Sequence, residues 1–331
     1  MTTEKAVKFK LRQLDMYLLK EYKEKFGIKH KNSKDYENRF SKKIRLAIKN
    51  LNSLITESVK TLTVDNKTGR PSKLSLKQKV TLILMQQLIG KSNRMMENLL
   101  DLFSVFFDID ISYKTIERLY GDDEVKLALL NLFELTIKKK GISEIDASGD
   151  ATGYGLTIKI HYQSYASKLK EKSKMADGKK KKFVYKFAMM DLDSKMYVCY
   201  GTSLKSEKDA YFKAITMLRK STNSIWIKSM RLDRYYSNPG DVNSYRGCDF
   251  YFIPKKNLTM GNGIYWNERL TEFVKDTFGY LKEYYRRNNS ESCFSVDKKL
   301  LGWRIGQKRD DRIDTVCFCK TIWRNLFQLY A

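Results

Sequence analysis

Histidine is nearly missing from this sequence. His30 and His161 are the only two histidines in 331 residues. Catalysis or metal binding that depends on imidazole therefore has at most two side chains available. We expect any acid–base or metal chemistry to come from carboxylates instead.

Cysteine is scarce as well. The five cysteines are odd in number and scattered, which is typical of reduced thiols and unlike a disulfide framework. The one close pair has no second pair and no histidine cluster beside it, so we expect no zinc site. The five are Cys199, Cys248, Cys293, Cys317 and Cys319.

Long apolar runs are missing too. No stretch of 18 consecutive apolar residues occurs, so no membrane-spanning helix is expected. The first residues, MTTEKAVKFKLRQ, lack the apolar segment of a signal peptide. We therefore expect a cytoplasmic protein with no membrane partner.

Acidic residues are too few to balance the basic ones. The chain has 64 lysines and arginines against 38 aspartates and glutamates, a formal net charge of +26. Such an excess repels itself in a folded chain and usually has a polyanionic partner, and we expect that partner to be nucleic acid. With 42% hydrophobic and 13% aromatic residues, the chain can still fill one large core or two ordinary ones.

Residues 1–135 have the apolar periodicity of helices. The segment SLKQKVTLILMQQLIG predicts a helix that ends at Gly90. NRMMENLLDLFSVFF predicts a second helix, and YKTIERLY predicts a short third one that Ser112 can cap. These segments make the N-terminal part a helical region.

The short helix and the one before it resemble a helix-turn-helix. In that interpretation Lys114 and Arg118 contact a DNA groove or backbone, with Tyr113 and Tyr120 on the same outer side. Ordinary packing of a helical bundle explains the same pattern, and the sequence leaves the two open. The Gly69–Arg70–Pro71 turn could also lie in a minor groove, although a plain linker explains it as well.

From about residue 140 the pattern changes to a mixed α/β one. GISEIDASGDATGYGLTIKIHYQSY alternates like a strand, and KFVYKFAMMDLDSKMYVCYGTS predicts a β-hairpin with its turn near Asp191–Ser194. SEKDAYFKAITMLRKS predicts a helix, SIWIKSMRLD a strand ending at Asp233, and CDFYFIP another strand. The nine lysines within residues 168–186 predict a mobile basic loop.

Three acids fall where a catalytic site can form. Asp150 lies where the first strand region opens into Ala-Thr-Gly, Asp233 ends a later strand, and Glu291 lies within a late helix. Each has an ordinary explanation when taken alone, as a turn cap or a solvated helix acid. Together they could hold two divalent metal ions, because Mg²⁺ prefers oxygen ligands and pairs of such ions promote phosphodiester chemistry. Asp146 shares the strand parity of Asp150, and is an alternative as the first of the three acids.

Glu291 also belongs to a regular pattern with Tyr284, Arg287 and Lys298. At roughly 100° per residue, a helix would place all four within an arc of about 60°. The spacing resembles the Tyr-x2-Arg-x3-Glu-x6-Lys signature of DDE transposases from bacterial and archaeal insertion sequences, whose catalytic domain is ribonuclease-H-like. Asp150-Ala-Thr-Gly is similar to the Asp-Gly-Thr-Gly of that family, with alanine in place of its first glycine. The Thr-Gly favours Asp150 over Asp146, and Leu232-Asp233 matches the second aspartate of the family.

The resemblance implies a fold, a site and an activity. It implies a ribonuclease-H-like mixed-sheet catalytic domain at 140–331, preceded by a helical DNA-binding region at 1–135. Asp150, Asp233 and Glu291 would bind two Mg²⁺ or Mn²⁺ ions, Arg287 and Lys298 would contact the DNA backbone, and Tyr284 would brace the helix or a phosphate. The protein would cleave DNA strands at the inverted-repeat ends of an insertion sequence and join them to target DNA. It would be a cytoplasmic, nucleoid-associated prokaryotic protein, and a homodimer when two ends are synapsed.

Two other functions stay open at this point. A decayed element could encode a DNA-binding protein that has lost catalysis, although the three intact acids argue against it. A structure-selective nuclease on the same fold would cut DNA without joining it, and would have less use for a long basic N-terminal region.

Overall fold

The structure is a computed structural model of the chain. It describes residues 3–26, 33–60, 73–90, 111–156, 183–243, 247–256 and 263–330, with isolated positions at 62, 92, 93, 95, 96, 99, 245 and 258. None of the helices within these ranges is long and apolar enough to cross a membrane. The predicted minor-groove element at 69–71 and residues 168–182 of the predicted basic loop lie outside the described residues.

The N-terminal part of the chain is helical, as predicted. A π-helical turn at Leu14–Leu18 joins the first two helices. The helices are α1 Thr3–Gln13, α2 Leu19–Phe26, α3 Ser33–Lys60, α4 Leu76–Ile89, α5 Tyr113–Leu119 and α6 Asp123–Lys140.

Local sequence sets the ends of these helices. The Ser75 hydroxyl accepts a hydrogen bond from the backbone N–H of Gln78, whose side chain accepts one from the backbone N–H of Ser75, and this capping box begins α4. Gly90 ends α4 in the left-handed conformation, at φ 70°. Ser112 precedes α5 as predicted, but its side chain makes no capping bond to the backbone and contacts the Thr115 hydroxyl instead.

A six-stranded mixed sheet follows the helical region. Its strand order is β3-β2-β1-β4-β5, and β6 pairs with β1. The hairpin strands β2 and β3 run antiparallel to their neighbours, whereas β1, β4, β5 and β6 pair in parallel. The strands are β1 Glu144–Leu156, β2 Phe183–Asp191, β3 Tyr197–Ser203, β4 Trp226–Arg231, β5 Asp249–Tyr251 and β6 Arg304–Ile305.

Six helices accompany these strands. A short 3₁₀ turn at Arg234–Tyr236 follows β4. The helices are α7 Glu207–Lys220, α8 Pro239–Asn243, α9 Ile264–Lys275, α10 Thr277–Tyr285, α11 Asn288–Leu301 and α12 Asp310–Leu329 within the described ranges.

Two hydrophobic cores cover the two faces of the sheet. On one face, Tyr154 and Tyr197 pack with residues of α3 to α6, α11 and α12. On the other face, Ala147 and Phe187 pack with residues of α1, α7, α9 and α10. The first core therefore contains residues from both sides of the predicted boundary between 1–135 and 140–331, and that division into two domains stays a prediction.

The mixed α/β architecture with a preceding helical region is confirmed, and so is the hairpin with its turn after Asp191. Two local predictions were wrong. Tyr120, predicted on the outer side of its helix, is fully buried in the first core. Its hydroxyl donates a hydrogen bond to the Gln86 side chain there, at 2.8 Å. Residues Phe183–Lys186 fell within both the predicted basic loop and the predicted hairpin; they begin β2, as the hairpin predicted, so the loop prediction was wrong at these residues, and Lys186 is fully buried. Most of the predicted helix after Ser92 lies outside the described residues, so the helix-turn-helix stays a prediction.

The crossing of β3 and α7 requires a glycine, and this gives a first prediction. A Cβ atom on Gly201 would lie 2.2 Å from the carbonyl oxygen of Ala210 and 2.5 Å from the backbone nitrogen of Ala214. Because backbone atoms cannot rotate away, we expect Gly201→Ala to lower the free energy of unfolding by at least ~2 kcal/mol in urea titrations. Gly306→Ala is the control, since nothing lies within 4 Å of its added Cβ. Equal stability of the two variants would contradict the close packing of α7 on β3.

Candidate active site

One face of β1 is lined by polar side chains at alternate positions. Because side chains alternate along a strand, residues two and four apart share a face. The shared parity predicted for Asp146 and Asp150 is therefore confirmed, and this face meets the segment from Arg286 through α11. The contacts are Asp146 with Arg286, Ser148 with Ser290, Asp150 with Arg287, and Tyr154 with Lys298.

A tight turn between α10 and α11 places two consecutive arginines, Arg286 and Arg287, against this face. The backbone N–H of Arg287 donates to the carbonyl of Tyr284 at 3.0 Å, and that of Ser290 donates to the carbonyl of Arg287 at 2.8 Å. Both bonds span three residues, so the chain is wound more tightly here than in an α-helix. The turn separates the two helices and points both guanidinium groups at β1.

The predicted single helix through the Tyr-Arg-Glu-Lys pattern was therefore wrong. Tyr284 lies near the end of α10, Arg287 precedes α11, and Glu291 and Lys298 lie within α11. Tyr284 is 4% exposed, and the Arg287 guanidinium lies 5.8 Å from the centre of its ring. The buried tyrosine ring thus contacts the arginine side chain, and the predicted bracing of the helix or of a phosphate by Tyr284 stays a prediction.

Arg287 bridges two of the three predicted acids. Its Nη1 lies 3.1 Å from Oδ2 of Asp150, and its Nη2 lies 2.8 Å from Oε1 of Glu291. The Asp150 and Arg287 side chains are 15% and 13% exposed, whereas Glu291 is 54% exposed. The backbone N–H of Ala151 donates to the other oxygen of Asp150 at 2.9 Å. The buried Asp150 carboxylate is thus held by the Arg287 guanidinium and by the backbone N–H of Ala151.

The pKa of Asp150 is unusually high for an aspartate. Burial raises its pKa to about 6, the Arg287 charge opposes that rise, and the negative charges of Glu291 and Asp233 add to it. Asp233 therefore lies within the electrostatic reach of Asp150. It follows β4 and accepts a hydrogen bond from the backbone N–H of Arg234 at 2.6 Å, which begins the 3₁₀ turn.

All three acids act electrostatically on the guanidinium of Arg287. Burial alone would lower the pKa of Arg287, but the neighbouring Tyr284, Asp150, Asp233 and Glu291 raise it overall. Asp150 of β1 and Glu291 of α11 thus contact this cation directly, and Asp233, two residues after β4, acts on it through its charge. This convergence is the central feature of the site.

Asp146 has a different role from Asp150. It accepts hydrogen bonds from the Ser229 hydroxyl and from Arg286 at 3.1 Å, and Arg231 lies 3.9 Å away. Burial alone would raise its pKa, but these hydrogen bonds and positive charges outweigh burial and lower it. A fully paired carboxylate of this kind holds structure together, which favours Asp150 as the functional acid.

Sequence reasoning missed the ion-pair network beside Asp146. Arg231 is 1% exposed, donates through Nε to the backbone carbonyl of Glu283 at 2.9 Å, and pairs with the Glu283 carboxylate. Arg286 also reaches that carboxylate at 3.0 Å. The network fixes α10 against β1 and β4, and so positions the turn that carries Arg287. An arginine within the apolar strand sequence SMRLD was the available signal.

The remaining predicted DNA contacts are Lys298, on α11 beside β1, and two residues of α5. The Lys298 ammonium lies 5.4 Å from the centre of the Tyr154 ring, and burial lowers its pKa. Lys114 and Arg118 are exposed on α5, as predicted, and are not partners of the carboxylates around Arg287. The site itself is therefore formed by β1, the end of β4, and the α10–α11 segment.

The donor set fits a divalent cation in its chemistry. Three carboxylates supply the hard oxygens that Mg²⁺ and Mn²⁺ prefer, and a buried carboxyl with a raised pKa gains from a nearby cation. In this conformation, however, the described residues contain no group of three or more acidic, histidine or cysteine side chains arranged to hold a metal. The cation between Asp150 and Glu291 is the Arg287 guanidinium.

A comparison with known proteins decides the family. The probable transposase for insertion sequence element ISA1214 from Archaeoglobus fulgidus is 40% identical over 285 residues, which cover 86% of this chain and 84% of that protein. The chain belongs to the insertion-sequence transposases. No protein-family model matches this transposase, and no solved structure matches it. The predicted family is therefore confirmed at the level of insertion-sequence transposase.

The raised pKa of Asp150 gives a stability prediction for the transposase. The unfolded chain ionises Asp150 near its ordinary pKa of 3.8 and the folded chain only near 6, so stability falls as pH rises between these values. At pH 8 without divalent ions, Asp150→Asn removes this cost, and we expect the free energy of unfolding to stay equal or rise.

Asp297→Asn is the matched control for that measurement. Asp297 is 2% exposed, pairs with Arg324 at 3.2 Å and accepts a hydrogen bond from the Tyr197 hydroxyl at 2.7 Å. Breaking a buried pair costs roughly 3–5 kcal/mol, so this variant should unfold at lower urea. If Asp150→Asn were as damaging as Asp297→Asn, the Asp150 carboxylate would be a structural group.

Proposed function

We propose that this transposase is of the DDE type and cleaves and joins DNA strands at the ends of an insertion sequence. Asp150, Asp233 and Glu291 are the metal-binding carboxylates of a ribonuclease-H-like catalytic domain. The observation that carries the proposal is the Arg287 guanidinium bridging Asp150 of β1 and Glu291 of α11, with Asp233, at the end of the parallel neighbour β4, within electrostatic reach.

The order of the elements supports this site. β1 and β4 are parallel neighbours, so Asp150 and Asp233 approach from the same direction along the sheet. The α10–α11 turn is fixed on the same face by the Asp146–Arg286 and Arg231–Glu283 pairs. Rigid elements of this kind hold catalytic groups more precisely than loops do.

Asp150, Asp233 and Glu291 are the residues that would hold Mg²⁺ or Mn²⁺. Two such ions supply the Lewis acidity that phosphodiester hydrolysis and strand transfer require. The carboxylates also repel a phosphate, so the substrate needs cations beside them. Arg287 and Lys298 lie one turn before and two turns after Glu291, and bind the DNA backbone on either side.

Arg287 has two roles in this proposal. Without DNA it neutralises Asp150 and Glu291 at 3.1 and 2.8 Å. With DNA it pairs with a backbone phosphate, which releases the two carboxylates to bind metal. Tyr284 supports the guanidinium in both arrangements, because a cation within about 6 Å of the centre of an aromatic ring is attracted to it.

DNA binding extends beyond the carboxylates. The net charge of +26 suits the inverted-repeat ends and target DNA, and exposed Lys114 and Arg118 on α5 contact groove or backbone in the helix-turn-helix interpretation. Joining two ends requires two protomers, so the working form is a homodimer.

Cleavage assays test the three carboxylates. We expect Asp150→Asn, Asp233→Asn and Glu291→Gln each to lower the rate of strand cleavage with Mg²⁺ at least ~100-fold. Replacing a group that only hydrogen-bonds to a metal ligand typically lowers activity by about 10- to 100-fold, and replacing the ligand itself should lower it more. The substrate is the DNA that flanks the coding sequence, with its inverted repeats. Asp146→Asn and Glu272→Gln are controls that should cleave, and DNA affinity measured without divalent ions should change less than about threefold in all five variants.

The outcome also separates the proposal from its alternatives. Full cleavage by Glu291→Gln would remove Glu291 from the site. Wild-type protein that cuts but gives no joined product would be a nuclease on this fold, and wild-type protein that binds the ends without cutting them would be an inactive transposase derivative.

A metal titration tests the double role of Arg287. Since its guanidinium occupies the position between Asp150 and Glu291, we expect Arg287→Ala to bind Mn²⁺ more tightly than wild type in the absence of DNA, by roughly tenfold. The measurement is the free Mn²⁺ signal in electron paramagnetic resonance. Arg309→Ala is the matched control, because Arg309 is exposed and pairs with Asp311, away from the turn that carries Arg287. Equal Mn²⁺ affinity of Arg287→Ala and wild type would show that the guanidinium does not compete with metal.

A further inference from the structure

A group of positive charges lies on the flank of α11 that faces away from the carboxylates. Glu291 and Cys293 are two residues apart, so their side chains point about 200° apart around the helix. Glu291 lies on the side of the carboxylates, whereas Cys293 contacts the Arg324 guanidinium of α12. Lys43 of α3 and Lys195 of the β2–β3 turn lie within electrostatic reach of the same thiol. Three separate elements thus bring cations to this flank.

Acids do not balance these cations. Neither Lys43 nor Lys195 forms an ion pair with any residue that the structure describes. The Asp297 carboxylate beside them already pairs with Arg324 at 3.2 Å. Burial lowers the pKa of Lys43, and four neighbouring positive charges lower it further, those of Arg324, Lys195, Lys140 and Arg39. Cations that repel one another without acidic partners favour the binding of an anion.

The end of α12 accounts for part of this group. The Lys140 ammonium donates to the carbonyls of Gln328 and Leu329 at 3.0 and 3.4 Å, which caps the C-terminus of α12. Lys43 donates to the side-chain carbonyl of Gln328 at 3.3 Å, and this acceptor carries no charge. The Lys195 ammonium has no acceptor within the described ranges. Capping therefore explains Lys140, but it leaves the charges of Lys43 and Lys195 unused.

Lys195 also has a backbone conformation that suits glycine. Its φ is 59°, and no other described residue except glycine has a positive φ. The turn is held there because the Lys195 N–H donates to the carbonyl of Asp191 at 2.9 Å and its carbonyl accepts from Nε of Arg324 at 3.3 Å. A lysine is strained in this conformation and a glycine is not. Strain of this kind is typical of residues whose side chain has a function.

The surface of α11 between its two flanks carries a small side chain. Ser292 lies between Glu291 and Cys293 around the helix, is exposed, and donates back to the carbonyl of Asn288 at 3.0 Å. A helix with its side chains is about 10 Å wide, and the phosphates of one DNA strand follow one another every 3.4 Å or so along the duplex axis. A strand that crosses α11 therefore reaches from one flank to the other in about three nucleotides.

We propose that Lys43 and Lys195 bind a backbone phosphate of the DNA substrate on the flank of α11 opposite the carboxylates. The strand that is cleaved beside Asp150 and Glu291 crosses α11 over Ser292, and a phosphate about three nucleotides from the cleaved bond lies between the two lysines. The inference rests on the proposed function in taking DNA as the substrate and the carboxylates as the place of cleavage.

Lys195→Gly separates DNA binding from folding in the full-length protein. Because glycine suits a φ of 59°, we expect the variant to melt at the same temperature as wild type or higher. Its affinity for duplex DNA of the element end, measured without divalent ions, should fall roughly fivefold, since a charge-assisted contact is lost. The slope of log affinity against log salt concentration should fall by about one.

Two further variants control for charge. Lys195→Arg keeps the cation and should bind the DNA as wild type does. Lys220→Ala removes an exposed lysine at the end of α7, which packs on the other face of the sheet, and should change affinity less than about twofold.

Neutral DNA linkages locate the phosphate. A single methylphosphonate is placed in turn at each position around the cleavage site, and wild-type affinity should fall roughly fivefold where the lysines bind. The double variant of Lys43→Ala and Lys195→Gly has already lost that contact, so the same linkage should lower its affinity less than about twofold. We expect this position about three nucleotides from the cleaved bond.

Three results would overturn the proposal. Equal losses for wild type and the double variant at every linkage would make the two lysines general surface charges. Binding of inorganic phosphate by wild type but not by the double variant, without any position-dependent effect of the linkages, would make the ligand a free anion. Full DNA affinity of Lys195→Gly, in a protein that binds and cleaves the ends normally, would remove this contact and leave the proposed function standing.

Discussion

Two consecutive arginines facing two aspartates on one strand are the interaction on which the site depends. Asp146 with Arg286 and Asp150 with Arg287 both join β1 to the α10–α11 turn at 3.1 Å. The first pair is supported by Arg231 and Ser229, so it stabilises the turn. The second pair lies against Tyr284 and beside the exposed Glu291 carboxylate, which is 2.8 Å from Arg287. Support is thus divided unequally between two adjacent arginines: Arg286 belongs to an extended ion-pair network, and Arg287 lies between two carboxylates.

This division explains why the two aspartates titrate in opposite directions although they lie on the same face of the same strand. Hydrogen bonds and positive charges around Asp146 exceed the effect of burial on its pKa, whereas at Asp150 burial dominates and two further carboxylates add to it. A charged carboxylate kept buried beside other carboxylates costs stability. It is also the kind of group that a substrate or an ion can complete.

Much of the fold was predictable because its signals are local. Alternation along GISEIDASGD, the turn after Asp191 and the capping box at Ser75 each act within a few residues. The predicted places of Asp150 in a strand, Asp233 after a strand and Glu291 in a helix are those observed, while their roles stay a prediction. The Arg286–Asp146 and Arg231–Glu283 pairs join residues 140 and 52 positions apart, and no local pattern specifies them. The break at Arg286–Arg287 was missed because neither glycine nor proline marks it. The turn follows from the two pairs with β1.

The place of α12 has a consequence for how the chain reaches its folded state. This helix fills the first core between the sheet and the N-terminal helices, and its Trp323 donates to Leu84, 239 residues earlier in the chain. Helices α3, α4 and α6 therefore have no complete apolar partner until residues 310–329 have left the ribosome. Contacts of such long separation form slowly, and the growing chain exposes apolar surface throughout its synthesis. Chaperones that shield such surface would act on this protein before any DNA does.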